Sequence, residues 1–201
     1  MAILQTILMS LPQKALHLDY QLMLMVNREM VHPLLDTVAL FIRESIFHVP
    51  VYLFIMLFAY QVFGKKAIWF VMGAIALVAF SDLVSSHLIK PFFARPRPCR
   101  DPFMAGQIRF LARYCGANGS FTSSHAVNHF AFATFVVSIM KGFSRWFMLL
   151  YAWAFSIAYA QVYVGVHYPS DVLVGAFLGI VFGWGGAQIT RQALSLHQYT
   201  I

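Results

Sequence analysis

The chemistry legible in this chain sits in two histidines, one aspartate and a run of basic residues. His167 and Asp171 stand four residues apart with Pro169 between them. Proline suits the first position of a helix, which puts Asp171 in the first turn. Its carboxylate can then accept one ring N–H of His167 and leave the other nitrogen free to attack an electrophile. His125 follows Thr122, Ser123 and Ser124. Thr122 or Ser123 is expected to cap a helix there, so that free backbone N–H groups receive an anion beside a proton donor. Lys90, Arg95, Arg97 and Arg100 lie on a segment stiffened by Pro91, Pro96 and Pro98. A guanidinium fork matches phosphate geometry. Each cluster also has a bland reading: a basic collar meeting lipid headgroups, a hydroxyl helix cap, a buried His–Asp tie. His129 is expected to make an interhelical hydrogen bond. Taken together the clusters describe phosphoryl transfer, with one imidazole attacking phosphorus, the other protonating the leaving oxygen, and cations and amides holding the developing charge. No metal is expected, since Asp82, Asp101 and Asp171 are scattered and the spacing of His125 and His129 completes no zinc pattern.

Such groups must be carried to one place by the elements between them. Of 201 residues 60% are hydrophobic and 10% charged, for a formal net charge of +7. A soluble domain carries about 25% charged residues, so the chain reads as one membrane-embedded domain. Residues 45–64, 114–140, 146–170 and 172–190 hold no charge, and 67–89 only Asp82. Five core spanning helices follow, since a span needs roughly 20 apolar residues. Residues 1–11 and 18–31 are expected as helices lying at the membrane surface. A sixth span over 1–24 is the alternative, which would take Lys14 and Asp19 into or near the membrane. His32-Pro33 breaks the chain before a tilted or re-entrant stretch at 34–42. If the spans alternate in direction, the end of the second, the start of the third and the start of the fifth share one face.

Lys65, Lys66, Lys141, Arg145 and Arg191 fall on the opposite face, against Lys90, Arg95, Arg97, Arg100, Arg109 and Arg113 on the site face. Discounting six that bind an anion makes the short-loop side cytoplasmic. Cys99 and Cys115 both lie in the long loop, either disulfide-bonded in an oxidising compartment or as two free thiols. A nucleic-acid partner is not expected, because the positive charge sits at membrane edges.

The pattern resembles the type 2 phosphatidic acid phosphatase family, which shares its core with the vanadium haloperoxidases, and the resemblance implies one lipid phosphatase domain over 1–201 with its core at 30–190. The first family motif is Lys, six residues, Arg-Pro, and here Lys90 precedes Arg97-Pro98. Thr122-Ser123-Ser124-His125 stands in place of Pro-Ser-Gly-His. Ala160-Gln161, His167 and Asp171 stand in place of Ser-Arg, five residues, His, three residues, Asp. The resemblance implies an all-α integral membrane helical bundle acting on a phosphomonoester or diphosphate of a membrane lipid: phosphatidate, phosphatidylglycerol phosphate, a polyprenyl diphosphate or lipid A. It implies His167 as nucleophile through a phosphohistidine, Asp171 orienting it, and His125 as general acid and then base. Lys90, Arg97, Ser123, Ser124 and Gln161 would hold phosphate, with no metal or cofactor. It further implies the inner membrane of a bacterium, with the site facing the periplasm or exterior.

Three positions depart from that pattern: Gln161 for arginine, Thr122 for proline and Ser124 for glycine. A compensating cation is sought among Arg95, Arg100, Arg109 and Arg113. The alternatives are a family member with a weakened site that binds phospholipid without efficient turnover, and an unrelated membrane transporter.

Overall fold

The structure is a computed structural model that describes residues 2–194, which are helix and loop throughout. The N-terminal segments expected as two helices form one, α1 (Ala2–Leu24), prolonged by a π-helical turn at Met25–Glu29. That is a correction to the reading of 1–11 and 18–31 as separate pieces. Lys14 and His17 do not interrupt the helix because both point outward, while Asp19, Met23 and Asn27, at four-residue intervals, are buried on one face. His32 caps α2 (Pro33–Phe41), its Nδ1 accepting from the Leu34 amide at 3.2 Å.

The apolar segments become α3 (Val49–Phe63), α4 (Ala67–Leu83), α6 (Ser124–Met140), α7 (Leu149–Tyr163) and α8 (Pro169–Ala193). A π-helical stretch, Val84–Ile89, extends α4 into the short α5 (Lys90–Phe93). The helical stretches Ser45–Phe93 and Pro169–Ala193 are long and apolar enough to cross a membrane, and Ser124–Met140 is apolar but shorter. The chain folds back between α3 and α4 at Gly64, whose φ of 54° is natural for glycine. Phe70, Leu77, Phe132, Phe135 and Met140 pack the centre. Leu53, Phe54 and Leu57 of α3, Trp69 and Ile75 of α4, and Leu173, Phe177 and Trp184 of α8 remain exposed. So broad an apolar exterior needs a lipid solvent.

The seam between α6 and α8 is built on Gly175, Gly179 and Gly183, one per turn of α8. A Cβ on Gly179 would run into the Val127 carbonyl and come within 2.9 Å of the Ala131 amide; one on Gly183 would reach 2.8 Å from the Thr134 Cβ. Glycine here allows two backbones to touch. A Cβ on Gly185 meets nothing within 4 Å. Gly179→Val is therefore expected to destabilise the bundle by about 3 kcal/mol. Gly185→Val should cost no more than the intrinsic helix propensity of the residue. Thermal unfolding of both variants in detergent checks the contrast, and equal midpoints would contradict the close seam.

At the other end of the bundle the loop from Ala94 to Ser123 closes over the helix ends. Within this loop Cys99 and Cys115 are joined as a disulfide, with Cα atoms 6.2 Å apart. Buried Asn27 staples α1 to this loop and to α7. Its Nδ2 donates to the Arg109 carbonyl at 2.8 Å and the Tyr163 carbonyl at 2.7 Å, and its Oδ1 accepts from the Arg109 amide at 2.6 Å.

Candidate active site

His167 lies in the loop between α7 and α8, outside the helices themselves, and only 2% of it is exposed. Pro169 takes the first position of α8 and Asp171 the third. The Asp171 carboxylate is fully buried and heavily partnered. Its Oδ2 accepts from the Tyr168 amide at 2.8 Å and from the Ser120 hydroxyl, and its Oδ1 accepts from Arg95 Nη1 at 2.8 Å. His167 Nδ1 stands 3.5 Å from Asp171 Oδ2 and 3.5 Å from Ser120 Oγ. On the other side of the ring, Nε2 is 3.1 Å from Arg97 Nη1.

An arginine can only donate, so Nε2 must present its lone pair there, which puts the ring proton on Nδ1, toward Asp171. Burial pulls the His167 pKa down to about 4; it outweighs the Asp171 hydrogen bond, and the Arg97 and Lys90 charges act with it. The imidazole is thus neutral at neutral pH, with an unprotonated nitrogen turned to a cation.

Ser123, rather than Thr122, caps α6. Its hydroxyl accepts from the Ala126 amide at 3.5 Å and its own amide donates to the Asp171 carbonyl at 3.1 Å, tying the starts of α6 and α8 together. The Thr122 hydroxyl is buried without a partner among the described residues. Half-buried His125 occupies the first turn of α6. The His129 ring lies parallel to it with centroids 6.1 Å apart. His129 makes no interhelical hydrogen bond through Nδ1, which instead lies 2.7 Å from the His125 carbonyl one turn back; packing against His48 and Trp153 leaves the ring in that orientation.

Lys90 arrives from α5 and is almost wholly buried, its Nζ donating to Ser124 Oγ at 2.7 Å. The Ser85 and Ser86 hydroxyls are each 3.0 Å from the same oxygen. Ser124, where the family has glycine, therefore fixes the lysine. Arg97 is held by the Asn118 carbonyl at 2.9 Å from Nε and the Val166 carbonyl at 3.3 Å from Nη1. A cleft of about 610 Å³ opens here, lined by Ser86, Lys90, Arg95, Arg97, Arg100 and Asn118.

Three of the four cations proposed to offset Gln161 are otherwise engaged, and the fourth faces outward. Arg95 bridges Asp19 at 2.6 Å and Asp171, Arg109 pairs with Asp36 at 2.7 Å, Arg100 donates to the Cys115 carbonyl at 2.9 Å, and Arg113 is exposed. Gln161 itself is buried in α7, and its Oε1 accepts from Arg43 Nε at 3.2 Å.

The structure thus gathers His167, Asp171, Lys90, Arg97, Ser123, Ser124 and Gln161 around one end of the bundle, with His125 in the first turn of α6 directly after Ser123 and Ser124. Sequence reasoning missed Ser120, Asp19 and Arg43. Asp19 had a signal, an acid on the same helical face as Met23 and Asn27. Ser120 and Arg43 had none, since only folding brings them near residues 51 and 118 positions away.

The chain is 30% identical over 154 residues to a Porphyromonas gingivalis protein named lipid A 4'-phosphatase, covering 76% of this chain and 64% of that one. A Bacteroides thetaiotaomicron protein of the same name is 28% identical over 171 residues, 83% of this chain and 74% of its own. The crystal structure of Aquifex aeolicus LpxE superposes with a TM-score of 0.64 at 27% identity, covering 85% of this chain and 95% of that one. Residues 67–194, which carry all three motifs, match the PAP2 superfamily profile, and the chain belongs to that superfamily.

Proposed function

We propose that this protein removes a phosphate group from a membrane lipid by metal-independent transfer through His167. The observation that carries the reading is the His167 ring, with Nδ1 toward Asp171 and Nε2 against Arg97 at the basic cleft. In the first step Nε2 attacks phosphorus and the bond from phosphorus to the leaving oxygen breaks, His125 giving that oxygen its proton. The phosphorylated imidazole is cationic, and the Asp171 carboxylate beside Nδ1 stabilises it. In the second step His125 takes a proton from water, whose oxygen attacks phosphorus; the P–N bond breaks and inorganic phosphate leaves. Lys90, Arg97 and the amides opening α6 hold the phosphoryl oxygens, charge being worth most where water is excluded.

Lipid A stands first among the proposed substrates, ahead of polyprenyl diphosphates, phosphatidylglycerol phosphate and phosphatidate, a ranking supported by the names of the two relatives. The five apolar helices α3, α4, α6, α7 and α8 would span a bacterial inner membrane with the cleft on the periplasmic side. The Cys99–Cys115 bond supports that orientation, because disulfides persist in oxidising compartments.

The test is phosphate release by purified protein from those four lipid classes in excess EDTA, with and without orthovanadate. Release from lipid A that survives EDTA and is blocked by vanadate, a mimic of five-coordinate phosphorus, is the expected result. Release that vanishes in EDTA and returns with a divalent ion contradicts the mechanism, and absence of release from every lipid contradicts the function.

A further inference from the structure

We propose that Arg43, at the turn after α2, is a phosphate-binding residue of this site, with Gln161 serving as its latch. The inference rests on the reading that the cleft receives a phosphoryl group. It starts from the arginine that the family pattern places on α7 and that this chain lacks. Gln161 occupies that position, and a neutral amide cannot neutralise a phosphate dianion. Its Oε1 instead accepts from Arg43 Nε at 3.2 Å, so a guanidinium from the turn after α2 reaches the side chain at that position.

Three observations direct this guanidinium toward the phosphate. First, Gln161 is joined to the nucleophile's loop, its backbone carbonyl accepting from the His167 amide at 3.2 Å and the Val166 amide at 3.1 Å. Second, that same loop meets the cleft cation, Arg97 Nη1 lying 3.3 Å from the Val166 carbonyl and 3.1 Å from His167 Nε2. Third, Arg43 has no carboxylate within 4.0 Å among the described residues, whereas Arg95 and Arg109 each have one. Only its Nε is hydrogen-bonded among those residues, which leaves the two terminal nitrogens, the pair that grips a phosphate edge-on, free. A half-buried cation without a counterion is costly unless an anion arrives to share the space; burial already pulls the Arg43 pKa down. With Arg43 added, Lys90 and Arg97 become a set of three cations, sufficient for a dianionic phosphoryl group that gains charge as it is attacked.

The design predicts that the arginine can be moved. Full-length protein carrying Arg43→Gln, Arg43→Lys, or Arg43→Gln with Gln161→Arg should be compared with the unaltered chain. The readouts are kcat and KM for phosphate release and the rise in Tm caused by orthovanadate. Arg43→Gln is expected to lower kcat/KM about 100-fold, the usual loss for one donor to developing charge, and to abolish the vanadate shift. Arg43→Lys keeps the charge without the fork and should fall between. The double variant, with arginine at 161, should recover at least about tenfold over Arg43→Gln in kcat/KM and regain the vanadate shift; recovery of the basal Tm without those two would mark a merely structural pair and overturn the proposal.

Arg43→Gln within about threefold of the unaltered protein in both readouts overturns the proposal and leaves the hydrolase reading intact. So does a folded double variant no better than Arg43→Gln. Should the unaltered protein bind vanadate yet cleave no lipid, loss of the vanadate shift in Arg43→Gln or Arg43→Lys would uphold the Arg43 site while the hydrolase reading fails. If Arg43→Gln does not fold, Arg43→Lys and the double variant decide by the same two readouts.

Discussion

Protein carrying His167→Ala is expected to release phosphate at least about 10⁴-fold more slowly than the unaltered chain while unfolding at nearly the same temperature. The size of the loss follows from the nucleophile's role. Without Nε2 no covalent intermediate can form, and what remains is the positioning and charge stabilisation of the cleft, as when the nucleophile of a hydrolase is deleted. Retention of the fold follows from the contacts. Arg97 keeps the Asn118 and Val166 carbonyls, and Asp171 keeps Arg95, Ser120 and the Tyr168 amide. The second histidine provides an internal check. In the proposed mechanism His125→Ala removes the proton donor of the first step and the base of the second. With a leaving group that needs no proton, such as p-nitrophenolate, the first step should survive and the second stall. Acid-labile, base-stable phosphate should then accumulate on His125→Ala, and none on His167→Ala. Labelling of the His167→Ala protein, or turnover within a few-fold of the unaltered chain, would remove His167 from the reaction.

What the sequence discloses about this site divides by distance along the chain. The start of α8 is readable because Pro169 and Asp171 set it within three residues, and the start of α6 because Ser123 and His125 do the same. The apolar helices are legible from the gaps between charges, since in lipid an uncharged stretch of sufficient length has few other fates. Failures occur where a polar residue serves a partner far away. Lys14 and His17 look like interruptions of the first helix until Asp19, on the opposite side, is seen to face the site. Ser124 looks like an erosion of the glycine pattern until Lys90 is found on its hydroxyl. Arg95 looks like one more basic residue in a loop until it is found between two carboxylates. Spacing within a motif fixes local geometry; it carries no information about which distant side chain completes the hydrogen bonds.

Arg95→Ala should be the most destabilising single change at the site, by about 3–5 kcal/mol, the usual cost of leaving buried carboxylates without their cation. Arg95 Nη2 donates to Asp19 Oδ2 at 2.6 Å, and its Nη1 donates to Asp171 Oδ1 and to Ser170 Oγ, each at 2.8 Å. Its guanidinium also lies over the Tyr168 ring, 3.9 Å from the centroid. Asp19 is 8% exposed at its side chain and Asp171 not at all, so neither charge can turn to water when the arginine is lost. Asp19 would retain the Ser170 amide at 2.8 Å and the Ser170 hydroxyl at 2.5 Å, too little to hold a second uncompensated anion beside Asp171. The strain is relieved most easily by releasing α1, whose packing near Asp19 rests on this bridge together with Met23, Tyr20 and the Asn27 staple. Limited proteolysis should therefore cut Arg95→Ala between α1 and α2, where the unaltered protein resists, and phosphate release should fall with it because the carboxylate behind His167 loses its anchor. Adding Asp19→Asn removes one of the two stranded charges and should restore a substantial part of the stability, although not the tether. A lysine at 95 carries the charge but cannot reach two carboxylates from one planar fork, and should behave closer to alanine than to arginine. An Arg95→Ala protein as stable and protease-resistant as the unaltered chain would mean that α1 is held by its apolar contacts alone and that Asp171 needs no cation to stay in place.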